Sequence, residues 1–328
     1  MNGADGAPRV GGAGRYAPSP SGDLHLGNLR TAVLAWLLAR STGRDLLLRI
    51  EDLDPGRVRS GVAEAQIEDL AALGVTFAEP PVWQSQRRGL YASALAELAD
   101  RTYECFCSRR EIAESASAPH VGPRRYPGTC RDLSSGQRSK RALTRSPALR
   151  VRADGAVQTV HDQWHGALTR DVDDFVVRRN DGVAAYNLAV VVDDAAMRVD
   201  QVVRGDDLLT SAPDQAWLGQ LLGAPVPAYA HVPLAVNAHG QRLAKRDGPV
   251  TLRLLSAHGV NPPEVLSLLA ASLGLAEPDE AIRLTVLLER FDPTWVPPRT
   301  PWVVRPENLP SVERSFTDPG VDRPVQTP

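Results

Sequence analysis

The sequence predicts an α/β protein built on a doubly wound, mainly parallel sheet. Two observations carry that expectation. Short apolar runs suited to buried parallel strands alternate with helical runs over residues 29 to 77. A polar, backbone-exposing loop, residues 15 to 28, leads straight into the first of those helices. With 328 residues the chain has room for a large buried core and about two domains.

The elements follow in order. Residues 1 to 13 are rich in Gly and Ala and are expected to be disordered; they lack the apolar core of a signal peptide. In the loop that follows, Pro18, Pro20 and Gly22 break any regular element. Gly27 removes a side chain where something must approach the backbone closely. Asn28 is the expected N-cap of a helix starting near Leu29. Free N–H groups and the helix dipole there favour an anion, most simply a phosphate, and His25 can add a hydrogen bond. A tight surface turn is the plain alternative. Leu29 to Arg40 reads as a helix buried on a broad face, Asp45 to Ile50 as a buried strand, and Val62 to Leu73 as an amphipathic helix ended by Gly74. Val75 to Phe77 is the next candidate strand, and 87 to 101 a helix. From Tyr103 to about residue 160 the pattern turns short and polar, as in an insertion. Strand character resumes at Phe175 to Arg179, with strand or helix at Ala185 to Val192. A helix spans Ser211 to Leu222, before Gly223. Residues 251 to 310 are expected to form a small helical module, and 311 to 328 an unstructured tail; nine prolines fall between 293 and 328, which excludes a long helix bundle.

Net charge is −2, so any nucleic-acid contact must use local patches. Arg124, Arg125, Arg131, Arg138, Lys140, Arg141 and Arg145 form one candidate; a solvated basic surface is the alternative. Three cysteines argue against a disulfide framework, and no apolar run approaches the ~20 residues of a membrane span. A cytoplasmic protein is expected, with no membrane partner. A monomer is expected because no apolar interface stripe stands out.

A second motif lies far from the first: Arg242-Leu243-Ala244-Lys245-Arg246-Asp247-Gly248. Lys140 and Lys245 are the only lysines among the 37 basic residues. A compact ammonium at 245 suits a crowded triphosphate better than a planar guanidinium.

Together these stretches resemble the signature motifs of class I aminoacyl-tRNA synthetases. His25-Leu-Gly-Asn28 resembles HIGH, and Leu243-Ala-Lys-Arg-Asp247 resembles KMSKS. Arg15-Tyr-Ala-Pro-Ser19, Arg49-Ile-Glu51-Asp52, Tyr186-Asn-Leu-Ala-Val-Val-Val-Asp193-Asp194 and Arg204-Gly-Asp-Asp-Leu208 are similar to the glutamate and glutamine branch, in colinear order. The resemblance implies a Rossmann-like catalytic domain over 14 to 250, interrupted by the 103 to 160 insertion. It implies ATP as substrate with Mg²⁺ on its phosphates, contacts to ATP from His25, Gly27, Asn28, Lys245 and Arg246, and catalysis by His25 and Lys245. L-glutamate would be held by Arg15, Ser19, Glu51, Tyr186 and Arg204: guanidiniums on carboxylates, Glu51 on the α-ammonium, Tyr186 shaping the pocket. Read without the resemblance, Arg15 and Arg204 fit structural ion pairs with the abundant Asp residues better than a substrate role. Asp52, Asp54, Asp193, Asp194, Asp206 and Asp207 are assigned loop-capping and supporting roles. Two departures stand out: Ala244 replaces the usual hydroxyl residue, and Asn28 replaces the second His.

Ordinary glutamyl-tRNA synthetases continue into a large anticodon-binding region, whereas here a short module and a Pro-rich stretch follow. That pattern resembles the glutamyl-Q tRNA(Asp) synthetase family, which attaches glutamate to the queuosine base of tRNA(Asp). A truncated charging enzyme and a silent ATP- or tRNA-binding paralogue are the alternatives.

The cysteines fall together in the insertion, at Cys105, Cys107 and Cys130. Zinc wants four ligands, and Tyr126 and His120 are the nearest candidates for the fourth. Metal chemistry alone favours His120. The resemblance implies Tyr126, through Tyr126-Pro-Gly-Thr-Cys130, in one structural Zn²⁺ site. Free thiols are the alternative.

Overall fold

The computed structural model describes residues 12–108, 110–112, 126–241, 243, 250–278 and 280–305. A seven-stranded sheet runs through the molecule. Its strands are β1 (Ala13–Tyr16), β2 (Asp45–Ile50), β3 (Val82–Trp83), β6 (Val157–Asp162), β7 (Gly166–Asp171), β9 (Val199–Gly205) and β10 (Ala228–Val232), in the order β3-β2-β1-β9-β10-β6-β7. The pairs are parallel except the hairpin β6·β7. The expected doubly wound sheet is present.

β2 explains why it can sit so deep. Leu46, Leu48 and Ile50 pack on one face and Leu47 on the other, so the strand is apolar on both sides. On the first face lies α1 (Leu26–Ser41), buried on almost every side from Leu26 to Ala39. The same core takes in α7 (Leu252–Ala257), α8 (Pro262–Ser272) and α9 (Leu284–Arg290) through Leu252, Leu255, Val265, Leu269 and Leu287. These helices are thus packed into the sheet domain. The chain after them adds β12 (Trp302–Val303), parallel to β11 (Ala235–Val236). Arg30 of α1 fastens this side: it donates to the Pro233 carbonyl at 2.8 Å and to Ser272 Oγ at 3.1 Å, and stacks against Trp302. The opposite face carries α5 (Tyr186–Ala196) and α6 (Ala212–Leu221).

Strands diverge from β1 in both directions, toward β2 and toward β9. That reversal opens a crevice at the carboxyl ends of the strands, where such sheets bind ligands. Arg15, Glu51 and Arg204 lie at or just beyond those ends.

Above the crevice a three-stranded antiparallel sheet forms from β4 (Thr102–Cys105), β5 (Ala148–Val151) and β8 (Val176–Arg178). Its third strand comes from beyond the 103 to 160 segment, while β6, which begins in that segment, belongs to the large sheet. The remaining helices are α2 (Val62–Ala72), α3 (Arg88–Glu97) and α4 (Ser135–Ala142).

Three local expectations change. α1 starts at Leu26, and His25, with Asn28 at the third helical position, caps it: each side chain accepts from the other residue's backbone N–H. Asn28 is therefore a capping partner inside the helix, as the reciprocal box prefers. Residues 75 to 77 form no strand. Gly74, at φ +84°, turns the chain back so that Val75 N donates to Leu70 O at 3.0 Å and Val75 fills the core under α1. An apolar triplet of that length fits a core-filling turn as well as a strand. Finally, β1 begins at Ala13, inside the segment expected to be disordered. The expectations for 1–11 and for the tail from 311 lie outside the described residues.

Candidate active site

The first-turn amides of α1 were expected to be free for an anion. Two are already engaged: Leu26 N donates to Val250 O at 3.0 Å, and Asn28 N to His25 Nδ1 at 3.3 Å. The second bond sets the ring. With Nδ1 accepting, the neutral imidazole carries its proton on Nε2 and is a donor there. The first bond, with the bridge between His25 and Thr251, brings the chain just after the Lys245 motif against the start of α1. Leu243, at the start of that motif, is buried and donates its N–H to Ala235 O. Lys245 and Arg246 themselves, like Ala244, lie outside the described residues.

Gly27 is needed for packing. A Cβ there would stand 2.9 Å from Ala235 Cβ and 3.0 Å from His25 Cε1. Gly27→Ala is expected to cost about 1–3 kcal/mol through overpacking, and to raise the KM for ATP by displacing His25. A thermal melt together with ATP kinetics checks both.

The floor of the crevice is an ion-pair network. Arg49, wholly buried, donates to Asp194 Oδ1 at 2.5 Å and to Glu51 Oε1 at 3.2 Å. Arg15 pairs with Asp194 at 3.3 Å. Asp193, one residue earlier on α5, accepts from Arg87 Nε at 2.5 Å, Gln84 Nε2 at 2.8 Å and Tyr91 OH at 2.8 Å. Burial would raise the Asp194 carboxyl, but Arg49 and Arg15 outweigh it and hold it below its ordinary value. For Glu51 burial wins over Arg49 and Arg15, and its carboxyl lies above its ordinary value. Tyr186 is half exposed over this floor, its hydroxyl raised by burial of the ring and by Glu51.

Arg204 stands on β9 opposite His231 of β10 in register. Its Nε donates to His231 Nε2 at 3.0 Å, Nη1 to Gln215 Oε1 at 2.7 Å and Nη2 to Leu208 O at 3.3 Å. His231 Nδ1 meets Asp162 Oδ2 at 2.6 Å. Arg15, Glu51, Tyr186 and Arg204 thus surround one floor. Ser19, Glu51 and Tyr186 also line an open groove of about 1070 Å³ that runs up to Cys107 and Arg145 of the insertion.

Asp162 and His231 carry much of this arrangement and were not singled out from the sequence; Arg49 was quoted within a motif but given no role of its own. Asp193 and Asp194 do hold supporting positions, as buried partners of arginines. Asp52 caps a loop, accepting from Ser85 N at 2.8 Å and Ser85 Oγ at 2.5 Å. Two carboxylates ending an apolar helical run, Leu188 to Val192, were the available signal for that network.

In the insertion, Cys105, Cys107 and Cys130 place their sulfurs within 4.8 Å of one another. Tyr126 Oη stands 3.3 Å from Cys105 Sγ and 3.7 Å from Cys107 Sγ, and Cys107 Sγ is 3.6 Å from Cys130 Sγ. Sulfurs on a tetrahedral zinc with Zn–S near ~2.3 Å stand about 3.8 Å apart, so the spacing suits the ion. Burial opposes a thiolate at Cys130, yet the Phe106 N–H, Tyr126, Cys107 and Arg141 together pull its thiol below the ordinary value. Burial pushes Cys107 up to about 11 and raises the Tyr126 hydroxyl. His120, the other candidate ligand, lies outside the described residues, as do Arg124 and Arg125. No helix among the described residues is long and apolar enough to cross a membrane.

Residues 13–292 match the family described as tRNA synthetases class I (E and Q), catalytic domain. The chain is 58% identical over 306 residues to a glutamyl-Q tRNA(Asp) synthetase of Nocardia farcinica, covering 92% of this chain and 96% of that relative. A protein of the same name from Cutibacterium acnes is 48% identical over 295 residues, covering 86% and 84%. Among solved structures, a glutamate tRNA ligase from Elizabethkingia meningosepticum in complex with its amino acid superposes with a TM-score of 0.76 at 25% identity, over 90% of this chain and 67% of that one. Such ligases use ATP. The chain belongs to the glutamyl-Q tRNA(Asp) synthetase family of class I aminoacyl-tRNA synthetases.

Proposed function

We propose that this protein activates L-glutamate with ATP and transfers it to the queuosine base at the wobble position of tRNA(Asp). The observation that carries this reading is the identity of 58% along nearly the whole of a relative with that name. The glutamate pocket supports it. Arg15 and Arg204 offer guanidiniums for the two carboxylates. Glu51 receives the α-ammonium, whose charge offsets the burial that raises its carboxyl. Tyr186 and Ser19 close the pocket.

In the first step a carboxylate oxygen of glutamate attacks the α-phosphorus of ATP, and the bond to pyrophosphate breaks. His25, donating from Nε2 at the start of α1, and Lys245 steady the charge that develops on the phosphates. Gly27, Asn28 and Arg246 complete the ATP contacts. Mg²⁺ carried in with ATP would supply charge neutralisation at its phosphates. In the second step a hydroxyl of the modified base attacks the activated carbonyl, and AMP leaves. The groove between floor and insertion is the route for that hydroxyl. Cys105, Cys107, Cys130 and Tyr126 would hold one structural Zn²⁺.

The test is transfer of labelled glutamate with ATP and Mg²⁺. Label is expected on tRNA(Asp) bearing queuosine and not on queuosine-free tRNA(Asp) or tRNA(Glu). Label on tRNA(Glu) would make the protein a charging enzyme. Absence of glutamate-dependent pyrophosphate exchange would make it a silent binder.

A further inference from the structure

Arg204 is held differently from the other arginines of the floor. Arg15 and Arg49 meet Asp194, Arg49 also meets Glu51, and Arg87 meets Asp193. Each of these cations has a carboxylate against it. Arg204 is as deeply buried, and among the described residues its partners are a ring nitrogen, a side-chain amide and a backbone carbonyl.

The ring contact fixes a proton. A guanidinium can only donate, so His231 Nε2 must accept, and the proton of the neutral ring sits on Nδ1. That N–H points at Asp162 Oδ2, 2.6 Å away, and Asp162 is also anchored by the backbone N–H groups of Trp164 and His165 at 3.0 and 2.9 Å. Burial, together with the charge of Arg204, keeps the imidazole below its ordinary value despite Asp162, which favours the neutral ring. Tyr229 stacks on His231 and lies under the guanidinium, closing the remaining side. The three contacts use three of the five guanidinium N–H groups and leave one on each Nη.

We propose that His231, held by Asp162, is a positioning residue that aims Arg204 and, by contacting it through a neutral ring, leaves its charge unpaired by a protein carboxylate and available to one carboxylate of the substrate. The inference rests on the placement of glutamate over this floor. A carboxylate in place of His231 would have neutralised Arg204 and weakened the preference for an acidic side chain. A neutral ring oriented by a buried carboxylate fixes the geometry and keeps the charge available.

The experiment is glutamate-dependent pyrophosphate exchange, with glutamate and ATP varied separately, on the full chain and on His231→Leu, His231→Gln, Asp162→Asn and Arg204→Gln. His231→Leu is expected to raise the KM for glutamate about tenfold or more with the KM for ATP changed by less than about twofold. His231→Gln can accept from Arg204 and donate to Asp162, and is expected to recover most of the loss. Asp162→Asn offers an N–H toward the ring, drives the proton to Nε2 against Arg204, and is expected to behave like His231→Leu. The preference for glutamate over glutamine should fall in step. Equal rises in both KM values, or His231→Gln no better than His231→Leu, would overturn the inference. If His231→Leu does not fold, the comparison of His231→Gln with Asp162→Asn decides, and equal KM values for glutamate overturn it. Arg204→Gln separates the two levels: if it leaves the KM for glutamate unchanged, the glutamate pocket itself is wrongly placed. If it raises that KM while the His231 variants do not, only the positioning role fails.

Discussion

Asp193→Ala is expected to lower the melting temperature by on the order of 10 °C and to abolish glutamate-dependent pyrophosphate exchange. Asp193 is completely buried and is the shared acceptor for Arg87, Gln84 and Tyr91, with Arg49 Nε a further 3.8 Å away. Its removal strands the Arg87 guanidinium and takes one of three carboxylates from around Arg49. Breaking a buried pair by deleting one partner typically costs about 3–5 kcal/mol, because the remaining charge is left without compensation. At roughly 2–4 °C per kcal/mol for a large domain, that corresponds to the stated shift. The loss of activity has a separate cause. Arg49 also orients Glu51, at 3.2 Å, and a displaced Arg49 takes the proposed ammonium site with it. Asp193→Asn keeps acceptor geometry without charge, and is expected to retain Tyr91 and Gln84 but not Arg87. Thermal melts followed by circular dichroism check the sequence wild type, Asn, Ala. An Ala variant melting within about 2 °C of wild type would show that the network contributes little to stability.

How much of this was legible in the sequence follows from how far each contact reaches along the chain. The short apolar run from Asp45 to Ile50 and the apolar helix before it gave β2 and α1, because both are local signals. The cysteines at 105, 107 and 130 signalled that they cluster by their closeness in sequence. Arg15, Glu51, Tyr186 and Arg204 were found through motifs, and the sheet brings them to one floor by placing β1, β2 and β9 side by side. His231 and Asp162 carried no such mark. They lie 69 residues apart and meet only because β6 and β10 are neighbours in the sheet. A histidine in an apolar strand and an aspartate at a strand end are ordinary until the strand order is known. The capping of α1 was misjudged for a smaller reason. Asn is a stronger capping residue than His by propensity, and the reciprocal bond between His25 and Asn28 reversed their roles. Val75 was misassigned because burial alone does not distinguish a strand from a core-filling turn.

Removal of metal is expected to separate the two half-reactions. The cysteine cluster sits at the end of β4 and before α4, and α4 is tied to it directly: Arg141 donates to Cys130 Sγ at 3.3 Å. Just beyond α4, Arg145 donates to Phe106 O at 3.3 Å and lines the groove beside Cys107. Tyr126 is clamped under Arg150, 3.8 Å from the ring, and Arg150 holds the Asp174 carbonyl at 2.6 Å. A zinc bound by Cys105, Cys107, Cys130 and Tyr126 would therefore set the position of α4, which carries Arg138, Lys140 and Arg141, and of Arg145 beside the groove. Structural zinc contributes on the order of 10 kcal/mol of local folding energy in small metal-dependent modules, so its loss should release this whole corner. The floor proposed to hold glutamate belongs to another core, built on β1, β2, β9 and α1. We therefore expect one zinc per chain by elemental analysis. Chelation, or Cys130→Ser, should reduce transfer to tRNA(Asp) by at least about tenfold. Glutamate-dependent pyrophosphate exchange should stay within about twofold of wild type, because the guanidinium and carboxylate positions it needs do not depend on the insertion. Equal loss of both activities would mean that the insertion supports the floor. Loss of neither, with the metal shown to be gone, would remove the cluster from the path of the tRNA.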